Sequence, residues 1–98
     1  MSRALIIRPE AEADIEEAQA WYEQQREGLG DRFLQTVEDC LRVIREHPLA
    51  FQIVHKRVRR NLLSRFPYAI LYTVKQGTIF VIACMHTKRS PRRWQQRI

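Results

Sequence analysis

The fold turns on PYAILYTVKQGTIFVIACMH, residues 67–86. Both halves are rich in β-branched and aromatic residues, and Gln76-Gly77 between them is a hairpin signal. The spacing predicts two antiparallel strands, Pro67 to Lys75 and Thr78 to His86. The second is apolar on both faces. Strict alternation places Ile79, Val81, Ala83 and Met85 on one side and Phe80, Ile82 and Cys84 on the other. Such a strand needs cover above and below. Val58 to Ser64 reads as a further strand, preceded by an irregular connection from Leu49 to Lys56.

The cover for one face lies upstream. Arg3 to Arg8 is short, apolar and β-branched at its centre, a strand in outline. Pro9 then suits the first position of a helix, where its missing N–H costs nothing. From Glu10 to about Arg26, Ala11, Ile15, Ala18 and Tyr22 recur at helical spacing, with Trp21 beside them. Glu10, Glu12 and Asp14 sit in the first turns, where carboxylates complement the helix dipole. Gly28-Leu29-Gly30 interrupts the pattern. A second helix runs from about Asp31 to Glu46 with Phe33, Val37, Cys40, Leu41 and Ile44 inward, and Pro48 ends it. A linker this short folds the helices back as an antiparallel hairpin. The order is β-α-α-β-β-β: an α+β fold, a helical hairpin packed on a small, mostly antiparallel sheet. The second sheet face is left for the C-terminal tail, through Trp94, or for a partner chain.

At 98 residues the chain suits one domain, 1–98. No apolar run approaches the roughly 20 residues of a membrane span. The short run Ala4 to Ile7 turns acidic at once and makes no secretory signal, so a cytoplasmic protein is expected. Cys40 and Cys84 sit in apolar runs without further ligands at zinc spacing. They read as reduced, buried thiols, with no metal site and no cofactor.

The net charge of +6 conceals a division. All eleven acids lie between Glu10 and Glu46, opposed there by four arginines, so that segment carries −11 + 4 = −7. From His47 onward there are eleven Lys or Arg and no acid. An acid-free half implies an anionic partner, either nucleic acid, a nucleoprotein machine or an acidic protein segment. A solvated basic face is the plainer alternative.

Three segments, in order, carry a family resemblance. They are Gly28-Leu29-Gly30-Asp31-Arg32-Phe33-Leu34; Arg59-Arg60 leading through Leu62-Leu63 to Arg65-Phe66-Pro67-Tyr68-Ala69-Ile70-Leu71-Tyr72; and His86 with Arg89, Pro91, Trp94 and Arg97. Together they resemble the RelE/ParE toxin superfamily, nearest its ParE-like branch of plasmid stabilisation proteins, over nearly the whole chain. The resemblance implies a type II toxin that arrests growth and is wrapped and blocked by a cognate antitoxin, ParD-like or similar. The ParE branch implies DNA gyrase as target; the RelE branch implies the ribosome, with messenger RNA cut in its A site. The shared fold does not choose between them.

Metal-free RNA cleavage needs a base, an acid and cations for the phosphate. The basic half supplies cations, and His86, His55, Tyr68 and Tyr72 are the candidate bases, with His86 and Tyr72 the pair an RNase reading uses. No carboxylate there can tune an imidazole. Each has a plainer reading: His86 as a hydrogen-bond partner of the C-terminal loop, the tyrosines as core, His55 as exposed. The ParE-like reading requires no catalytic set and makes the chain a binding protein. Its target-binding candidates are Arg59, Arg60, Arg65, His86, Arg89, Arg93 and Trp94, since arginines interleaved with an aromatic suit a binding hot spot. Trp94 also suits a cap on the bare sheet face. Trp21 and Leu34, off the core stripes, are either peripheral core or the antitoxin groove. A basic nucleic-acid-binding module without toxic action is a third reading.

Overall fold

The computed structural model describes residues 3–98. Its elements are β1 (Leu5–Ile7), α1 (Pro9–Gln25), α2 (Leu29–Glu46), β2 (Ile53–His55), β3 (Val58–Leu62), β4 (Tyr68–Lys75), β5 (Thr78–His86) and α3 (Arg92–Gln95). One sheet runs β1-β5-β4-β3-β2, with β1 parallel to β5 and every other pair antiparallel. The helical hairpin covers one face, as the apolar spacing requires. Ala11, Ile15 and Ala18 from α1 and Phe33, Val37, Cys40 and Ile44 from α2 meet Ile70, Tyr72, Ile79, Val81 and Cys84 from the sheet. An aromatic cluster of Tyr22, Phe33, Phe66 and Tyr68, with centroids 4.8 to 6.0 Å apart, pins the hairpin at one end. At the other end the Tyr72 hydroxyl donates to the Pro48 carbonyl at 2.7 Å.

The two glycines of the hairpin turn do different work. Gly28 lies at φ +86° with open space around it, so its lack of Cβ serves the backbone conformation. Gly30 serves proximity, because a Cβ there would stand 2.8 Å from the Gln19 carbonyl oxygen on α1. The Glu23 carboxylate reaches across the same gap. It accepts the Gly28 N–H at 3.0 Å and the Gly30 N–H at 2.9 Å, satisfying donors that the start of α2 would otherwise leave bare.

Three features differ from the sequence expectation. The connection before β3 contains β2, closed by the two-residue turn Lys56-Arg57 with Lys56 at φ +50°. Its three residues are too few to show a period, and no glycine marks the turn. The tail forms the one-turn helix α3, again too short for periodicity. The third difference is a reassignment of faces along β5. Leu71 pairs with Ala83 but Tyr72 with Val81, so Ile82 is the extra residue of a β-bulge. Beyond it the alternation reverses: Cys84 joins Ile79 and Val81 under the helices, while Ala83 and Met85 join Ile82 on the opposite face. One inserted residue exchanges the faces of everything after it.

The second face is covered in part by the chain itself. Trp94 packs onto Val58, Ala69, Leu71, Ile82 and Ala83. Ile6 and Leu62, at the margins of that face, stay about half exposed.

Gly30→Ala should lower the unfolding free energy by about 1–3 kcal/mol, the usual cost of overpacking, because the Gln19 backbone as well as the Glu23 side chain opposes the new methyl. Urea denaturation measures it, and an unchanged midpoint would show that the helices separate freely at this crossing.

Candidate functional site

β1 pairs with β5 only as far as Ile7 opposite Val81, with the Arg8 N–H extending the ladder to the Val81 carbonyl at 3.0 Å. Past that point no strand among the described residues flanks this edge of β5, and two side chains from distant parts of the sequence take over. Asp14 Oδ2 accepts the Cys84 N–H at 3.0 Å, and Arg97 Nη1 donates to the Ile82 carbonyl at 3.0 Å. The two side chains also meet each other as a fork: Nη1 to Oδ2 at 2.7 Å and Nη2 to Oδ1 at 3.1 Å. They are 13% and 20% exposed, so the pair is shielded from water and its bonds are the charge-assisted kind. Asp14 is therefore more than a helix-dipole acid. It is the partner of a residue 83 positions away, a relation no spacing rule reveals.

This pair closes one end of a groove of about 880 Å³ between α1 and the wall formed by the end of β5 and the tail. Glu17, Trp21 and Gln24 line its α1 side, and His86, Arg89 and Arg93 line the other. Tyr22, Tyr68, Cys84 and Met85 also line it. Trp21, 55% exposed, is a large apolar surface open to a partner. The His86 ring stands edge-on to Tyr68, with centroids 5.2 Å apart. His86 Nδ1 accepts the Lys88 N–H at 3.0 Å, which leaves the proton of a neutral ring on Nε2.

Of the sequence candidates, His86, Arg89, Arg93, Trp21 and Tyr68 come together here. The others do not. Arg59 donates to the carbonyls of Leu49 at 3.1 Å and Phe51 at 2.7 Å, bracing the connection after α2. Arg60 is exposed and pairs with Leu71 across the sheet. Arg65, at φ +71°, lines a second groove of about 590 Å³ with Arg32, Ser64 and Phe66. Leu34 is half-buried against the helix-side core. Trp94 is 7% exposed and serves the sheet face. Its ring lies 5.8 Å from that of His55, which is half-buried rather than free in solvent. Asp14, Glu17, Tyr22 and Arg97 belong to the groove although the sequence did not single them out for it.

The pairing of His86 with Tyr72 that an RNase would use is not formed. Tyr72 lies opposite Val81 and Tyr68 opposite His86, which separates the two by four residues, roughly 13 Å along the strand. Tyr72 is wholly buried, its hydroxyl is committed to Pro48, and burial pushes its pKa up to about 12. Tyr68 is also raised, by burial first and then by Tyr22, with Arg89 opposing. Both phenols keep their protons at neutral pH. Cys40 and Cys84 are free and buried, and burial pushes each thiol up to about 12. Among the described residues no three His, Cys, Asp or Glu side chains gather where they could hold a metal ion. Among those residues, too, no helix is long and apolar enough to cross a membrane.

Comparison with known proteins agrees with this architecture. The model of the family described as ParE toxin of type II toxin-antitoxin system, parDE, matches residues 5–91, stopping short of α3 and Arg97. Among solved structures, a chain of the chromosomal ParDE TA system from P. aeruginosa superposes with a TM-score of 0.66 at 18% identity. The alignment covers 87% of this chain and 96% of that one, a likeness of fold. No curated protein sequence matches.

Both cysteines should resist a thiol-specific chromogenic reagent near pH 8 in the native protein and react only on unfolding. Their folded values stand above the ordinary 9.0, as that of Tyr72 stands above 10.0. The folded state therefore holds these protons more tightly. Their contribution is whole below about pH 9 and is lost as pH rises toward about 12. The urea midpoint should fall steadily across that window; a flat profile would mean that the three groups are open to water.

Proposed function

This chain belongs to the ParE toxin family of type II toxin–antitoxin systems, and from that premise we propose that it inhibits DNA gyrase and is neutralised by a cognate antitoxin. The observation that carries the reading is the groove: an exposed tryptophan facing a wall of His86, Arg89 and Arg93. Arginines beside an open aromatic bind by stacking, apolar burial and forked bonds to carboxylate or phosphate. Gyrase with its DNA offers a large anionic surface to such a wall. The toxin acts by occupying its target. The antitoxin acts by covering the same wall, with acidic side chains on Arg89 and Arg93 and an apolar residue on Trp21. Arg60 and Arg65, away from the groove, add to the long-range field and to the association rate more than to the bound state. Leu34, half-buried against the helix-side core, does not line the groove.

Purified protein should block supercoiling by gyrase, and equimolar antitoxin should restore it. Arg89→Gln with Arg93→Gln should weaken inhibition by roughly a hundredfold, about tenfold for each arginine neutralised. Normal supercoiling at saturating toxin would remove gyrase as the target. Cuts at codon positions in translated messages after induction would move the target to the ribosome.

A further inference from the structure

The tail that carries Arg93 has little to hold it in place. α3 is four residues long, and a single turn has no stability of its own in water. Two anchors fix it. Trp94 is buried on the apolar face of the sheet, and three positions later Arg97 is half-buried at the edge of β5, where it donates to the Ile82 carbonyl. The Arg97 anchor is geometrically strict. Its guanidinium meets Asp14 with two nitrogens and the Ile82 carbonyl as well, and Asp14 is itself held by the Cys84 N–H. Arg93 stands four residues before Arg97, on the same side of the turn, and both line the groove with Arg89. The other ion pair among the described residues, Arg42 with Asp39, is exposed, lies within α2 and fixes nothing beyond it.

We propose that Asp14 and Arg97 are a positioning pair for target binding, which docks the tail against the bulge of β5 so that Arg89 and Arg93 face the groove. The pair's own charges satisfy each other, so its part in binding is to place its neighbours rather than to supply a free charge. Arg97 acts through its neighbours, and it does so by its fork: a lysine would keep the charge but could not grip Asp14 at two points. The proposal rests on the reading that Arg89 and Arg93 meet the target, and its test separates the two.

The full-length protein and its Arg97→Lys and Arg97→Gln variants are compared, with Lys75→Gln as a control for charge loss at an exposed turn. Amide exchange of residues 88–98 and of Cys84 reports docking without reference to any target. It should rise sharply in both Arg97 variants, while the α1–α2 core keeps its protection. Target inhibition, assayed well below the melting temperature of each variant, should fall roughly tenfold or more in both and hold in the control. The decisive comparison adds Arg97→Gln to the Arg89→Gln, Arg93→Gln background. If Arg97 works only by placing those arginines, the third change costs nothing further. Unchanged tail exchange, exchange that rises without loss of inhibition, or a third change that adds its full effect would each overturn the positioning role. Full inhibition by the Arg89→Gln, Arg93→Gln protein would instead overturn the reading of the groove, whatever the exchange data show.

Discussion

The structure depends on closing one strand. β5 lies near the middle of the sheet, apolar on both faces, and on one side its neighbour β1 ends at Ile7. Everything past Val81 must be covered by other means, since unpaired backbone groups and bare apolar side chains are both costly to leave. The helical hairpin covers one face and Trp94 the other. Asp14 and Arg97 complete the edge. The bulge at Ile82 makes these solutions compatible. It turns Ala83 toward the face that Trp94 covers and places Cys84 beneath the helices.

Charge follows the same plan. The acids are confined to the hairpin segment, where Glu23 also caps α2 and Asp14 receives the tail. Eleven of the seventeen bases follow His47, in the sheet, its connections and the tail. The groove lies where the two territories meet, which gives it one wall bearing Glu17 and another bearing Arg89 and Arg93. A partner that fits must present apolar surface to Trp21 and negative charge to the arginines at once. Such a demand selects against partners that offer only one of these.

Much of the fold was legible because it rests on local rules. The 3.6-residue spacing of Ala11, Ile15, Ala18 and Tyr22, the Gly28–Gly30 break and the Gln76-Gly77 hairpin each speak for themselves. Tyr68 and Tyr72 were readable as core from their alternation, and His86 as a partner of the loop that follows it. The bulge was not legible, because one extra residue leaves an all-apolar strand looking the same. β2 and α3 fell below the length at which a period exists. The site was legible as composition and not as geometry. The arginine-rich tail pointed to binding, but which arginines converge depends on Asp14 and Arg97 meeting across the fold.

On the proposed reading, the groove between α1 and the tail receives the target. The chain has two tryptophans, Trp21 open at the groove and Trp94 buried on the sheet, so a Trp94→Phe protein reports on Trp21 alone. Its emission is the direct measurement as gyrase is added to saturation, with complex formation followed independently. Emission should shift to the blue as the indole leaves water. A complex that forms while Trp21 emission stays where it was would place the target elsewhere on the surface.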